Sequence, residues 1–183
     1  FCLLAGGFKR FETFGVYDNV DTTGIQIGGT GQAVTIAGGF SNSGQIASNA
    51  INANSAGVRF GAGSDVPVFL NSGSIFSQAI SEGANTATGI LIEQGANVPS
   101  LINSGTVGGG IGGEAGIGYG IRDLSGNLTN LTNQGLIQGF ITPTDDLDDT
   151  DDANDDPADE TVTGQAIAID LTANTSGITL VQD

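Results

Sequence analysis

The stretch Leu101-Ile-Asn-Ser-Gly-Thr-Val107 belongs to a motif that occurs four times in the chain and decides the fold. The other copies are Phe40-Ser-Asn-Ser-Gly-Gln-Ile46, Phe69-Leu-Asn-Ser-Gly-Ser-Ile75 and Leu131-Thr-Asn-Gln-Gly-Leu-Ile137. Their asparagines are Asn42, Asn71, Asn103 and Asn133, which are separated by 29, 32 and 30 residues. A motif that recurs at a nearly fixed period indicates a repeat architecture.

A second motif lies between these copies and has the same period. It reads Thr23-Gly-Ile-Gln-Ile27, Ala56-Gly-Val-Arg-Phe60, Thr88-Gly-Ile-Leu-Ile92, Tyr119-Gly-Ile-Arg-Asp123 and, less closely, Gly164-Gln-Ala-Ile-Ala168. This alignment puts one residue of each copy in a common column: Ile25, Val58, Ile90, Ile121 and Ala166. Two motifs that stay in phase over most of the chain make a chance match hard to produce.

Both motifs predict strands that are joined by tight turns. Apolar residues alternate with period two at Val58 and Phe60 and again at Ile90 and Ile92, as in a half-buried strand. Asn-Ser-Gly is turn chemistry, since Asn and Gly both tolerate positive φ. We therefore predict an all-β chain that forms a parallel β-helix (β-solenoid) with about five coils of about 30 residues.

In such a solenoid, equivalent residues of successive coils stack at the strand spacing of about 4.8 Å. The side-chain amides of Asn42, Asn71, Asn103 and Asn133 are then expected to form a hydrogen-bonded ladder. A column of β-branched side chains is expected inside, formed by Ile46, Ile75, Val107 and Ile137. The repeats would thus bury a continuous core with few large side chains.

The repeated Asn-Ser-Gly-x-Ile, its Gly-Ile-x-Ile partner and the closing Ala166-Ile-Ala-Ile-Asp-Leu-Thr-Ala-Asn-Thr-Ser-Gly-Ile-Thr-Leu180 resemble passenger regions of bacterial autotransporters and related large surface adhesins. The resemblance covers roughly residues 23–183. It implies a right-handed parallel β-helix that is exported to the cell surface.

The composition makes several functions improbable. The chain has 31 Gly, no His, four Lys and Arg against 20 Asp and Glu, and a formal net charge of −16. Four cations cannot neutralise many phosphates, so we expect no nucleic-acid partner. Because the chain has no His, we expect neither acid–base catalysis nor metal binding by an imidazole. No apolar run reaches the about 18 residues of a membrane helix, so no transmembrane segment is predicted.

The two ends of the repeat array raise the question of assembly. Residues 1–22 do not fit the repeat and hold five of the 11 aromatic residues. We interpret them as an aromatic cap or as a segment that inserts into a neighbouring subunit; an artefact of an excised end is the third alternative. Residues 23–183 form the solenoid, and the last strand before Asp183 would leave an open sheet edge, which can template pairing with another chain.

An acidic insertion at 143–161 interrupts the last coil. Ten of the 20 acidic residues lie between Asp145 and Glu160. One interpretation is a solvated loop, because a block of like charges repels itself. The other is calcium binding through Asp149, Asp151 and Asp155, since Ca²⁺ takes oxygen ligands. The calcium pattern is loose, because the turn Gly and the bidentate Glu of an EF-hand are absent.

No catalytic constellation is evident, and we predict no enzyme activity and no cofactor other than calcium. Arg59 and Arg122 occupy equivalent places two coils apart and are expected to point outward as solubilising residues. Glu93, Asp123 and Asp170 are scattered singly, without an acid, a base and a stabiliser in one place. A polysaccharide-degrading β-helix enzyme is therefore disfavoured.

These observations favour a secreted or cell-surface structural or adhesive β-solenoid of a bacterium. We expect homo-oligomers or filaments that form through the N-terminal segment and the C-terminal coil, with a surface glycan or host receptor as a further partner. The alternative is a passenger fragment of a longer monomeric adhesin. Cys2 is the single cysteine, so no disulfide within the chain is expected.

Overall fold

The computed structural model describes residues 18–81, 83–143 and 162–183 in full, and the strands at 2–3 and 10–12 by their backbone. Every regular element in this part of the chain is a β-strand. All of the strand pairs are parallel. The predicted all-β parallel solenoid is confirmed.

The strands stack into three long sheets and one short sheet. Sheet A contains β1 (Cys2–Leu3), β5 (Phe40–Asn42), β9 (Phe69–Asn71), β12 (Ser100–Asn103), β15 (Asn130–Asn133) and β18 (Thr179–Gln182). Sheet B contains β2 (Arg10–Glu12), β6 (Gln45–Ile51), β10 (Ser74–Ile80), β13 (Thr106–Gly112) and β16 (Leu136–Thr142). Sheet C contains β3 (Thr22–Ile27), β7 (Ser55–Phe60), β11 (Thr86–Ile92), β14 (Ile117–Asp123) and β17 (Gln165–Asp170). The short sheet pairs β4 (Val34–Thr35) with β8 (Ser64–Asp65).

The solenoid has about four turns, which corrects the predicted count of about five. Each turn runs through sheets A, B and C in order, starting at β5, β9, β12 and β15. The second motif has five copies, and each copy supplies only a strand of sheet C. The strands β1 and β2 also contribute to the stack, because β1 pairs with β5 and β2 pairs with β6.

The predicted inner columns form the core. Ile46, Ile75 and Val107 are stacked in register and fully buried, with Ile137 half-buried in the last turn. In sheet A the rings of Phe40 and Phe69 stack at 5.3 Å between centroids. Each inner side chain therefore lies on its equivalent in the preceding turn.

The glycine of the Asn-x-Gly corner is required by close stacking rather than by positive φ. Gly73, Gly105 and Gly135 are absent from the residues with positive φ. A Cβ at any of the three would lie 2.0 Å from the carbonyl oxygen of the equivalent glycine in the preceding turn. The expected role for these glycines, tolerance of positive φ, was thus wrong, and the corner keeps glycine because two turns meet there.

The glycine of the second motif is required by the packing of sheet C on sheet B. A Cβ at Gly57 would lie 2.6 Å from Cγ2 of Ile75, and a Cβ at Gly89 would lie 2.7 Å from Cγ1 of Val107. Ala87 and Ile90 are both fully buried although they are three residues apart, so the strand bends between them. This bend lets the two sheets approach closely.

The register predicted for the last copy of the second motif was wrong. Ile121 pairs with Ile169, whereas Ala166 pairs with Gly118. The alignment put Gln165 in the place of the bend glycine, but Ala168 lies opposite Gly120 in the structure. Ala168 is exposed in the last described turn, where a methyl group is accommodated.

We predict that Gly105→Ala destabilises the fold and Gly112→Ala does not. The added methyl group at Gly105 would overlap the Gly73 carbonyl oxygen, and overpacking of this kind costs about 1–3 kcal/mol. At Gly112 the nearest atom to the new Cβ is 3.5 Å away, and Ala is favoured over Gly in a strand by about 0.5–1 kcal/mol. Equilibrium denaturation measures both, and equal stability of the two variants would contradict the stacking argument.

Candidate functional site

The four predicted asparagines form one buried ladder of side-chain amides. Asn42 Nδ2 donates to Asn71 Oδ1 at 2.8 Å, and Asn71 Nδ2 donates to Asn103 Oδ1 at 2.7 Å. Asn103 Nδ2 donates in turn to Asn133 Oδ1 at 2.7 Å. All four side chains are buried, and Asn103 is fully so. The ladder therefore satisfies polar groups that would otherwise be costly inside the core.

Each asparagine also holds the corner of its own turn. Asn42 Oδ1 accepts a hydrogen bond from the backbone N–H of Gly44 at 3.1 Å, and Asn133 Oδ1 accepts one from Gly135 at 3.3 Å. Asn103 Nδ2 donates to the carbonyl oxygen of Gly105 at 3.2 Å. This Asx-type contact explains the fixed spacing of Asn and Gly.

Sequence reasoning missed the fifth member of the ladder, Gln182. Asn133 Nδ2 donates to Gln182 Oε1 at 2.8 Å, across a separation of 49 residues. The signal was present, because Leu180-Val-Gln182 repeats the order of an apolar residue, any residue and an amide. The acidic insertion hid it by lengthening the interval from the 29, 32 and 30 residues of the earlier steps.

The predicted calcium ligands Asp149, Asp151 and Asp155 lie outside the described residues. Within residues 18–81, 83–143 and 162–183, no group of three or more acidic or cysteine side chains is placed to hold a metal ion.

The two described arginines are each paired with a carboxylate on the outer face of sheet C. Arg59 Nη2 donates to Glu93 Oε1 at 2.6 Å, and Arg122 Nε donates to Asp170 Oδ2 at 3.3 Å. Arg122 also lies over the ring of Tyr119, 4.5 Å from its centroid. Residues that were scattered in the sequence are therefore brought together as pairs by the stacking.

Asp170 is held in its ionised form. Burial tends to raise the pKa of its carboxyl, but hydrogen bonds from the Thr172 hydroxyl and backbone N–H and the charge of Arg122 outweigh burial. The pKa of Asp170 is therefore below its ordinary value of 3.8. The hydroxyl of Thr172 donates to Oδ1 at 2.8 Å.

Asp123 is a fully buried carboxylate in a column otherwise occupied by Phe60 and Ile92. Its oxygens accept hydrogen bonds from the N–H and hydroxyl of Ser125 at 2.9 and 2.6 Å, and from the N–H of Leu128 at 3.3 Å. These donors satisfy the buried carboxyl oxygens locally. The role of Asp123 is to fix the turn that follows β14.

The last turn exposes the end of the core. Leu131 is fully buried in sheet A, whereas Leu180, its equivalent in β18, is 52% exposed. In sheet B, Val107 and Ile111 are fully buried, and their equivalents Ile137 and Ile141 in β16 are only half-buried. An apolar surface with open strand edges therefore lies at this end of the described solenoid.

No protein-family model matches the sequence, and neither the curated proteins nor the solved structures contain a significant match to it. Among the described residues there is no helix of the length and apolarity needed to cross a membrane.

We predict that Asn103→Ala lowers the free energy of unfolding by about 2 kcal/mol or more. The substitution removes the 2.7 Å partners of Asn71 Nδ2 and Asn133 Oδ1, which keep only backbone contacts of 3.3 to 3.4 Å. A buried polar group that loses its partner costs about 1–3 kcal/mol. Asn130→Ala is the matched control, because Asn130 lies in the adjacent strand β15, is exposed, and its side chain bonds to Thr129 alone among the described residues. Chemical denaturation compares the two, and equal losses would argue against the ladder.

We predict that Asp170→Asn removes part of the acid sensitivity of the fold. Because the pKa of Asp170 is lowered in the folded chain, its carboxylate stabilises the fold above pH 3.8, and this stabilisation is lost as the pH falls below that value. The substitution should therefore destabilise the chain at about pH 7 more than at about pH 3. Asp183→Asn makes the same charge change at an exposed site, and a pH dependence like that of Asp170→Asn would contradict the prediction.

Proposed function

We propose that the chain is an extracellular structural or adhesive β-solenoid of a bacterial surface that assembles end to end. The resemblance of its repeats to autotransporter passenger regions and surface adhesins supports the extracellular setting. The exposed end of the core supports assembly, because an open edge of parallel strands is a template for a further strand. This exposed end is the single observation on which the proposal depends.

The open edge carries free backbone groups as well as apolar side chains. The N–H of Thr179, the first residue of β18, donates to the carbonyl oxygen of Thr129, and the N–H of Asp183, which follows β18, donates to that of Asn133. Successive N–H groups of a strand point to opposite sides, so those of Leu180 and Gln182 face the open side. In β16 the N–H of Leu136 points back to Gly105, and the N–H of Ile137 faces outward by the same rule.

A second copy of the chain is the occupant that we propose for this edge. Head-to-tail stacking keeps all strands parallel and continues the inner columns from β16, β17 and β18 into the first strands of the next copy. A contact of this kind does not close on itself, so it produces a filament. The stacked turns make a stiff rod in which backbone hydrogen bonds run along the axis.

The alternative occupant is a further turn of the same polypeptide, as in a passenger region of a longer monomeric adhesin. Both occupants would bury the same apolar surface and the same N–H groups. They differ in the size of the particle, since only the second copy gives a mass that grows with concentration.

We predict that the 183-residue chain forms particles larger than a monomer and that Leu180→Pro returns it to the monomer. Proline keeps an apolar side chain but removes the outward N–H at the open edge. Leu180→Val keeps the N–H and should assemble like the wild type. Sedimentation velocity over a range of concentrations, with electron microscopy of the largest species, measures the outcome. A wild-type monomer of 18.3 kDa at every concentration would reject end-to-end assembly.

A further inference from the structure

The bend in sheet C creates a pocket on the outer face of the solenoid. The pocket has a volume of about 190 Å³ and spans three strands, β3, β7 and β11. On one side of the bend its lining includes Thr23, Ala56 and Thr88, which are paired neighbours in the stack. On the other side lie Arg59 and Leu91. The pocket is below the roughly 300 Å³ at which sites for drug-sized ligands begin, so it suits a smaller group.

The pocket is lined by residues of β3, β7 and β11 and their flanks, and the next turn has larger side chains in the same columns. Tyr119 and Arg122 occupy the columns that hold Thr88 and Leu91 one turn earlier. The guanidinium of Arg122 covers the Tyr119 ring and is bound to Asp170. The larger side chains of β14 thus fill the concavity that the small side chains of β3, β7 and β11 leave open.

The lining offers polar groups that the fold does not use. In the part of the chain described, the Nε of Arg59 is buried without a hydrogen-bond partner. The Arg59 guanidinium is held by a single contact, from Nη2 to Glu93. The hydroxyl groups of Thr23 and Thr88 make no hydrogen bond to any described residue. An orphaned buried donor beside unused hydroxyls is what an unfilled polar binding site presents.

The charge distribution selects the class of ligand. Glu93 and Asp21 place carboxylates on opposite sides of the pocket, and the chain has a net charge of −16, so an anion is repelled. A cation is repelled as well, because it would have to lie against the guanidinium of Arg59. A neutral group with several hydroxyls can accept from the guanidinium and donate to a carboxylate at the same time. The methyl groups of Ala56, Thr88 and Leu91 add apolar surface for its C–H face.

The geometry points to a binding site for one neutral sugar unit in this pocket. Arg59 and Glu93 contact adjacent hydroxyls of the sugar, Thr23 and Thr88 bind further hydroxyls, and Ala56 forms the floor. The inference rests on the proposed adhesive role and gives it a partner, a glycan with an accessible neutral residue. The volume of about 190 Å³ limits the site to about one ring.

The test is a titration of the 15N-labelled chain, followed by its amide chemical shifts. The probes are glucose, galactose, mannose and N-acetylglucosamine at millimolar concentrations, with glucuronate as the anionic comparison. We expect at least one neutral sugar to shift the amides of Ala56 and Thr88 in a saturable way, and glucuronate to bind more weakly than its neutral parent, glucose. No saturable shift at these residues with any of the sugars would overturn the proposal.

Ala56→Phe is the decisive variant. An aromatic side chain is compatible with this column, because Tyr119 already occupies it two turns later. The ring would fill the pocket and reduce affinity at least about tenfold, which corresponds to about 1.4 kcal/mol. Thr132→Phe makes a similar enlargement on sheet A, away from the pocket, and should bind like the wild type. Undiminished binding by Ala56→Phe would overturn the site.

Assembly and sugar binding can fail independently. The titration uses the Leu180→Pro variant beside the wild type, so that the pocket is measured on a chain with its edge blocked. Saturable shifts in a chain that remains monomeric would support the pocket and reject the filament. A wild type that forms filaments, together with a monomeric Leu180→Pro variant that shows no saturable shift with any sugar, would support the filament and reject the pocket.

Discussion

The distance between successive turns, about 4.8 Å, is the constraint on which the rest of this structure depends. At that spacing two corners meet so closely that the carbonyl oxygen of Gly73 lies 2.0 Å from where a Cβ at Gly105 would be. Sheet C approaches sheet B with similar closeness at Gly57 and Gly89. Stacking therefore requires glycine at both positions of the repeat, because the turns and the sheets can approach this closely only where no side chain lies between them.

The same spacing determines which polar side chains can be buried inside the solenoid. An asparagine amide can donate to the turn above and accept from the turn below, so a column of amides is satisfied without charge. Asn103 illustrates this, because it is fully buried and bonded on both sides. Asp123 is the exception, and it is buried only because the turn that follows it supplies N–H and hydroxyl donors.

Function is proposed for the two places where regular stacking is altered. At the last described turn the stack exposes Leu180 and Ile137, so that the forces that hold one turn on another become available to a partner. At the bend of sheet C, where Gly57 and Gly89 lie, the outer face is concave. The small side chains of Ala56 and Thr88 leave a polar pocket there. The first is suited to assembly and the second to recognition.

The period, the parallel stacking, the inner column at Ile75 and the asparagines of the ladder could be predicted from the sequence, because each of these recurs once per turn. Features that do not recur followed only from the folded chain. The tertiary structure placed Ile169 rather than Ala166 above Ile121, and it added Gln182 to the ladder. It also paired Arg59 with Glu93 and formed the pocket beside them. Outer-face contacts join different side chains of different turns, so they depend on the register and the bend, which a repeat pattern does not specify.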